Sequence, residues 1–103
     1  MQNEHELKHQ FKNVNGLDWH WVEMGNGHPV VLLHGIPESW ACWHHQIPTL
    51  SEQFRVIALD LKGYGQSAKP DGDYSGTTVA AEVLSLLDEI DVETFHIAGH
   101  DWG

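Results

Sequence analysis

Thr94-Phe95-His96-Ile97-Ala98-Gly99-His100-Asp101-Trp102-Gly103 decides how this chain reads. The first five residues form a short apolar run of strand length. The last five have the G-x-x-x-G form of a sharp strand-to-helix turn, which holds one side chain out at the top of a parallel sheet. Small flanking residues permit backbone angles and close approaches that larger ones block. The residue held out in such turns is ordinarily Ser; here it is Asp101. The five residues alone are a weak signal, because an ordinary strand end with Asp101 as a helix N-cap would look the same. Their position after a third buried strand makes the signal strong.

That third strand emerges from the pattern upstream. Residues 7–24 alternate loosely through Leu7, Phe11, Val14, Leu17, Trp19, Trp21 and Met24. Asn15-Gly16 between the halves predicts a hairpin with a tight turn. Val30-Val31-Leu32-Leu33 and Val56-Ile57-Ala58-Leu59 are apolar without alternation, as expected of strands covered on both faces. Residues 40–54 are expected to be helical, with Ser39 as N-cap and Pro48 kinking or splitting the helix. A glycine-rich loop follows over residues 62–76. Val79, Val83, Leu86, Leu87 and Ile90 then recur at helical spacing, with Ser75, Thr77 and Thr78 as cap candidates. A hairpin followed by strand–helix–strand–helix–strand predicts an α/β fold whose sheet is parallel after its first strands.

Composition narrows the function classes. A chain of 103 residues suits one small domain, and 41% hydrophobic residues mark it as globular. A formal net charge of −10 argues against nucleic acid and acidic membrane surfaces as partners. One cysteine, Cys42, excludes an internal disulfide framework and fits a reducing compartment. The first ten residues are polar, unlike a signal peptide, and no apolar run nears the ~18 residues of a membrane span. A cytoplasmic location is expected.

His34-Gly35-Ile36-Pro37 ends the first buried strand, and ligands of open α/β sheets bind beyond the carboxyl ends of parallel strands. This loop and the Asp101 turn should therefore border one pocket. In sites of this geometry one backbone N–H follows the nucleophile and another comes from this loop, together stabilising an oxyanion. That nominates the amides of Trp102 and Ile36, with His34, Pro37 and Trp102 lining the substrate. Gly63-Tyr64-Gly65-Gln66-Ser67 lacks the third glycine of a dinucleotide fingerprint, and Ser67 lacks the trailing glycine of a nucleophile turn, so the segment reads as a structural loop. His5-Glu6-Leu7-Lys8-His9 matches a zinc motif literally but runs into a strand pattern, where the helical pairing of the two His fails. No metal and no cofactor are expected. His44-His45 and His100 carry little signal, Trp40 and Trp43 read as packing, and Cys42 reads as a small core residue.

Together these segments resemble the α/β-hydrolases and, within them, the epoxide hydrolases. The resemblance covers residues 11–103. It is carried by His34-Gly35-Ile36-Pro37-Glu38-Ser39-Trp40, Trp43-His44-His45-Gln46, Gly63-Tyr64-Gly65-Gln66-Ser67 and Gly99-His100-Asp101-Trp102-Gly103 in that order. Lys62 stands where relatives commonly carry Arg. The resemblance implies that Asp101 is the nucleophile and that Ile36 and Trp102 supply the oxyanion amides. It implies further a His base, a second acid and a cap bearing two tyrosines, all beyond residue 103. On that reading residues 1–103 form an incomplete hydrolase core, and the isolated chain is expected to be unstable and inactive.

Asp suits this chemistry. A carboxylate with a pKa near ~4 is ionised at pH 7 and attacks a saturated carbon without a base. Opening an epoxide or expelling a halide would each leave an ester on Asp101, which a His-activated water then cleaves. Ester and peptide substrates are disfavoured, because attack would give an overly reactive anhydride. The expected partner is a small molecule, an epoxide or a haloalkane. Haloalkane dehalogenases share the Asp-Trp pair, but many carry Asn where this chain has Ile36, which has no side-chain donor. A non-catalytic truncated fragment is the reading from another class.

Overall fold

A computed structural model of the chain describes residues 7–34, 39–69, 72, 74–93 and 95–99. Asn15 (φ 53°) and Gly16 (φ 86°) form a two-residue turn with both angles positive, the conformation whose twist suits a hairpin. They join β1 (Lys8–Val14) to β2 (Leu17–Met24), antiparallel and in register from Val14↔Leu17 to Lys8↔Glu23. The Asn13 side chain supports the turn, accepting from the Gly16 amide and donating to Asp18.

Three further strands complete the sheet: β3 (His28–Leu33), β4 (Phe54–Leu59) and β5 (His96–Gly99). Their order across the sheet is β1-β2-β4-β3-β5. β4 is antiparallel to β2 and parallel to β3, and β3 is parallel to β5. The parallel part is therefore the part the apolar runs predict. Arg55 on β4 makes a two-pronged contact with Glu23 on β2, at 2.9 and 3.0 Å. The hydrogen bonds and charge of Glu23 hold the Arg55 guanidinium pKa above its ordinary value.

The two faces of the central strands bury different partners. Val31, Ile57, Leu59, Trp19 and Trp21 pack with Val83, Leu86 and Leu87 of α2 (Gly76–Glu89). Val22, Val30, Leu32, Val56 and Ala58 pack with Ile47 of α1 (Gln46–Leu50), and Trp40 and Trp43 lie against that cluster. Burial on both faces is why β3 and β4 show no alternation.

Helix boundaries show where local chemistry overrides periodicity. Residues 40–54 are not one helix. Ser39 caps a 3-10 turn, Trp40–Trp43, by accepting from the Ala41 amide. The chain then restarts as α1, with Pro48 as its third residue. There a missing N–H costs nothing, whereas a helix continuing from Trp40 would set the proline ring against the carbonyl of His44. α1 ends at Leu50, and residues 54–55 belong to β4. Cys42 is half-buried beside the core rather than within it.

α2 begins as its sequence predicts, with Ser75 Oγ accepting from the Thr78 amide. It ends with Asp91 in the left-handed region (φ 61°). The Val92 amide returns to the Leu87 carbonyl and the Asp91 amide to that of Asp88, the paired bonds of a Schellman stop. Val92 and Leu87 are both buried, which closes the helix end over the core.

Leu86 is fully buried while Leu84, two residues earlier, is 57% exposed. Leu86→Ala should cost about 2–5 kcal/mol and Leu84→Ala less than about 0.5 kcal/mol, read as shifts of the urea midpoint in the whole polypeptide carrying these residues. Equal shifts would mean that α2 does not face the sheet as described.

Candidate active site

Parallel pairing brings three chain segments to one edge. Leu33 pairs with Leu59 on one side and with Gly99 on the other. The chain therefore leaves β3, β4 and β5 at the same level, at their carboxyl ends, where open α/β sheets bind ligands. His34 and Asp60 are the first residues past β3 and β4. Residues 35–38 and 100–103 lie outside the described residues, and with them four of the five site candidates: Ile36, Pro37, Asp101 and Trp102. His34 is the described one.

His34 is fully buried. Its Nε2 accepts from the Leu61 amide at 2.9 Å, which makes this nitrogen a lone-pair acceptor and puts the ring proton on Nδ1. The ring meets Tyr64 edge-on at 5.4 Å between centroids. A substrate thus has no access to Nε2, and His34 joins the β3 exit to the β4 exit.

Asp60 is the residue that sequence reasoning missed. It is fully buried, and three donors converge on its carboxylate. His20 Nδ1 approaches Oδ2 at 2.6 Å, the Gln66 amide donates to Oδ2 at 2.9 Å, and the Trp40 amide donates to Oδ1 at 2.8 Å. Ser67 adds a second layer, donating to the Asp60 carbonyl at 2.6 Å and accepting from the His20 amide at 2.9 Å. Behind His20 stands His9, with Nδ1 2.9 Å from His20 Nε2 and the two rings stacked. His9 is thus on a strand and engaged with a second ring, not on the helix a zinc motif needs. The one sequence signal for Asp60 was a charged residue directly following a buried strand.

The glycine-rich loop is structural, as its sequence suggests. The Gly63 amide reaches the Ala68 carbonyl, and the Ala68 amide reaches that of Asp18. Gly65 has φ 56°, and any Cβ there would run into the Asp60 carboxylate. Lys62, almost fully buried, pairs with Glu82 of α2 at 2.8 Å and lies 4.6 Å over the Tyr74 ring. These contacts tie the loop to α2.

A groove of 330 Å³ is lined by Leu7, Met24, Trp40, His44, Ile47 and Pro48; it shares Trp40 with the Asp60 cluster, and neither His34 nor Asp60 lines it. Among the described residues no group of three or more His, Cys, Asp or Glu is arranged to hold a metal. No helix among them is long and apolar enough to cross a membrane.

Removing the acceptor on His34 isolates its structural task. His34→Phe should keep the contact with Tyr64 while leaving the buried Leu61 amide without a partner, at a cost of about 1–3 kcal/mol in urea unfolding. A change within about 0.5 kcal/mol would show that water satisfies that amide.

Comparison with known proteins agrees with this architecture. Residues 28–103 match the family model described as alpha/beta hydrolase fold. The soluble epoxide hydrolase of Corynebacterium sp. (strain C12) is 44% identical over 98 residues, covering 95% of this chain and 34% of that protein. Bifunctional epoxide hydrolase 2 of Mus musculus is 39% identical over 104 residues, covering 97% and 19%. Among solved structures, the epoxide hydrolase CorEH superposes with a TM-score of 0.92 at 44% identity, over 95% of this chain and 35% of that one. Cfl2 from Burkholderia cenocepacia superposes with a TM-score of 0.92 at 41% identity, over 94% and 34%. The chain spans about a third or less of the length of these relatives. By the family match and by the strand order and pairing described above, the chain belongs to the α/β-hydrolase fold family.

Proposed function

We propose that this chain carries the nucleophile half of an epoxide hydrolase active site. The observation that carries the reading is the register Leu33↔Gly99, which starts Gly99-His100-Asp101-Trp102-Gly103 level with the exit of His34-Gly35-Ile36-Pro37. The epoxide hydrolase names of relatives at 39–44% identity support it.

The Asp101 carboxylate attacks a ring carbon of the epoxide. An O–C bond forms, the ring C–O bond breaks, and the ring oxygen leaves as an alkoxide that takes up a proton. In the enzymes this chain resembles, cap tyrosines polarise that oxygen. Water then adds to the carbonyl carbon of the Asp101 ester, losing a proton to a base. The tetrahedral oxyanion is held by the Ile36 and Trp102 amides and collapses to expel the diol oxygen and restore the carboxylate. Pro37 and Trp102 border the substrate, whereas His34 is fully buried. Residues 1–103 are the N-terminal part of the hydrolase core in this scheme.

Single turnover in ¹⁸O-labelled water distinguishes this route from direct hydration. With the whole polypeptide carrying residues 1–103 in excess over the epoxide, the first diol should carry unlabelled oxygen, and the label should appear on Asp101. Asp101→Ala should abolish diol formation. Labelled diol in the first turnover would exclude the ester, and halide release from haloalkanes without diol formation from epoxides would establish dehalogenation instead.

A further inference from the structure

Among the described residues three pairs of histidine rings touch, and one pair keeps its nitrogens for a ligand. His9 and His20 spend their facing nitrogens on each other, 2.9 Å apart, and the other nitrogen of the fully buried His20 is on Asp60. His44 and His45 stand 3.9 Å apart between ring centres, and His44 Nδ1 donates to the Ala41 carbonyl. His28 and His96 stand 4.9 Å apart, both exposed, at the first positions of β3 and β5. Sheet geometry puts these two rings on one face. His96 pairs with Val30, and His28 lies two residues before Val30, so both side chains point the same way. Phe54, which pairs with His28, meets the His96 ring edge-on at 6.2 Å and packs with the apolar cluster on that face.

The spacing is that of two imidazoles on one ion. With metal–nitrogen bonds of about 2.0–2.1 Å, two rings at right-angled to tetrahedral positions stand about 4.5–5.2 Å apart between centres. The 4.9 Å of His28 and His96 falls inside that range, and the 3.9 Å of His44 and His45 falls short of it. The His28 and His96 rings cross at 64°, and a histidine ring turns easily about its outer torsion, so each can aim one lone pair at a common point. Imidazole donors select zinc, copper and nickel over calcium and magnesium, which take oxygen. A formal net charge of −10 on residues 1–103 adds a field that draws cations. We propose that His28 and His96 bind one divalent transition-metal ion, Zn²⁺ or Cu²⁺, with water at the remaining positions, and that the ion ties β5 to β3. Among the described residues β5 pairs with β3 alone, and all four of its residues are exposed. An ion holding one ligand from each strand joins them through side chains where β5 begins. This site lies at the opposite end of β3 from His34 and stands whether or not the chain serves an epoxide hydrolase.

The test uses the whole polypeptide carrying residues 1–103, without a polyhistidine tag. Calorimetry should find a Zn²⁺ site whose affinity falls about tenfold or more in His28→Ala and in His96→Ala and is unchanged in His44→Ala. Cu²⁺ should bind more tightly than Zn²⁺, and its electron paramagnetic resonance spectrum should show two coordinated nitrogens in the parent and one in either variant. Mg²⁺ and Ca²⁺ should not compete. Both residues are exposed, so in metal-free buffer the two variants should unfold at the parent's urea midpoint. With free Zn²⁺ at about ten times its dissociation constant, exchange of the β5 amides that pair with β3 should slow about tenfold, because opening the strand pair must release the ion.

Zn²⁺ affinity that survives either His28→Ala or His96→Ala unchanged would overturn the proposal, reducing the contact to a pair of surface rings. An equal loss in His44→Ala would overturn it too, by moving the ion to another site. So would β5 exchange that bound Zn²⁺ leaves as fast as before, since the ion would then not bridge the strands.

Discussion

A single buried carboxylate constrains much of the molecule. Burying an ionised carboxyl without partners would cost many kcal/mol, so the chain must bring donors to Asp60. It does so from three directions: β2 through His20, the 3-10 turn through the Trp40 amide, and the glycine-rich loop through the Gln66 amide. Hydrogen bonds to a charged group contribute about 1.5–3 kcal/mol each, roughly twice a neutral one. The shape of the loop after β4 follows from this requirement. It turns back sharply enough for Gln66 and Ser67 to reach the residue they have just left, and Gly65 at the bend has no side chain because the carboxylate occupies that space.

The same requirement couples the antiparallel and parallel parts of the sheet. β2 and β4 pair through their backbones from Trp21↔Leu59 to Met24↔Val56. Just past that ladder His20 and Asp60 continue the contact through side chains, with the Asp60 amide donating to the His20 carbonyl at 3.0 Å. The hairpin is thus a structural wall for the edge where His34 and Asp60 emerge. The Arg55–Glu23 contact holds the opposite end of the same strand pair.

Those parts of the fold that depend on neighbours in sequence were legible in it. The Asn15-Gly16 turn, the Ser75 cap, the α2 stripe and the apolar runs of β3 and β4 each declare themselves within a few residues. What was hidden depends on distant partners. His20 and Asp60 are forty residues apart, and neither has a local reason to be buried. The break at His44-His45 was foreseeable only as a proline effect somewhere in the segment, because the steric conflict falls four residues before Pro48. Phe54 looked helical by continuation, but pairing with β3 recruits it to β4. For the site, the sequence pattern nominated Asp101 and the amides of Ile36 and Trp102, which lie outside the described residues. It could not show that the flanks of the His34 loop are held by a dipeptide from the next strand.

Strand order has a consequence for synthesis. β4 lies between β2 and β3, so the hairpin and β3 have no direct pairing to make. During translation Val30-Val31-Leu32-Leu33 leaves the ribosome with neither lateral neighbour available. It waits until Leu59 has followed, roughly 1–5 s at about 5–20 residues per second. β5, its other neighbour, arrives later still. Throughout that interval the most apolar stretch of the chain is an open ribbon, and its burial waits on the synthesis of β4.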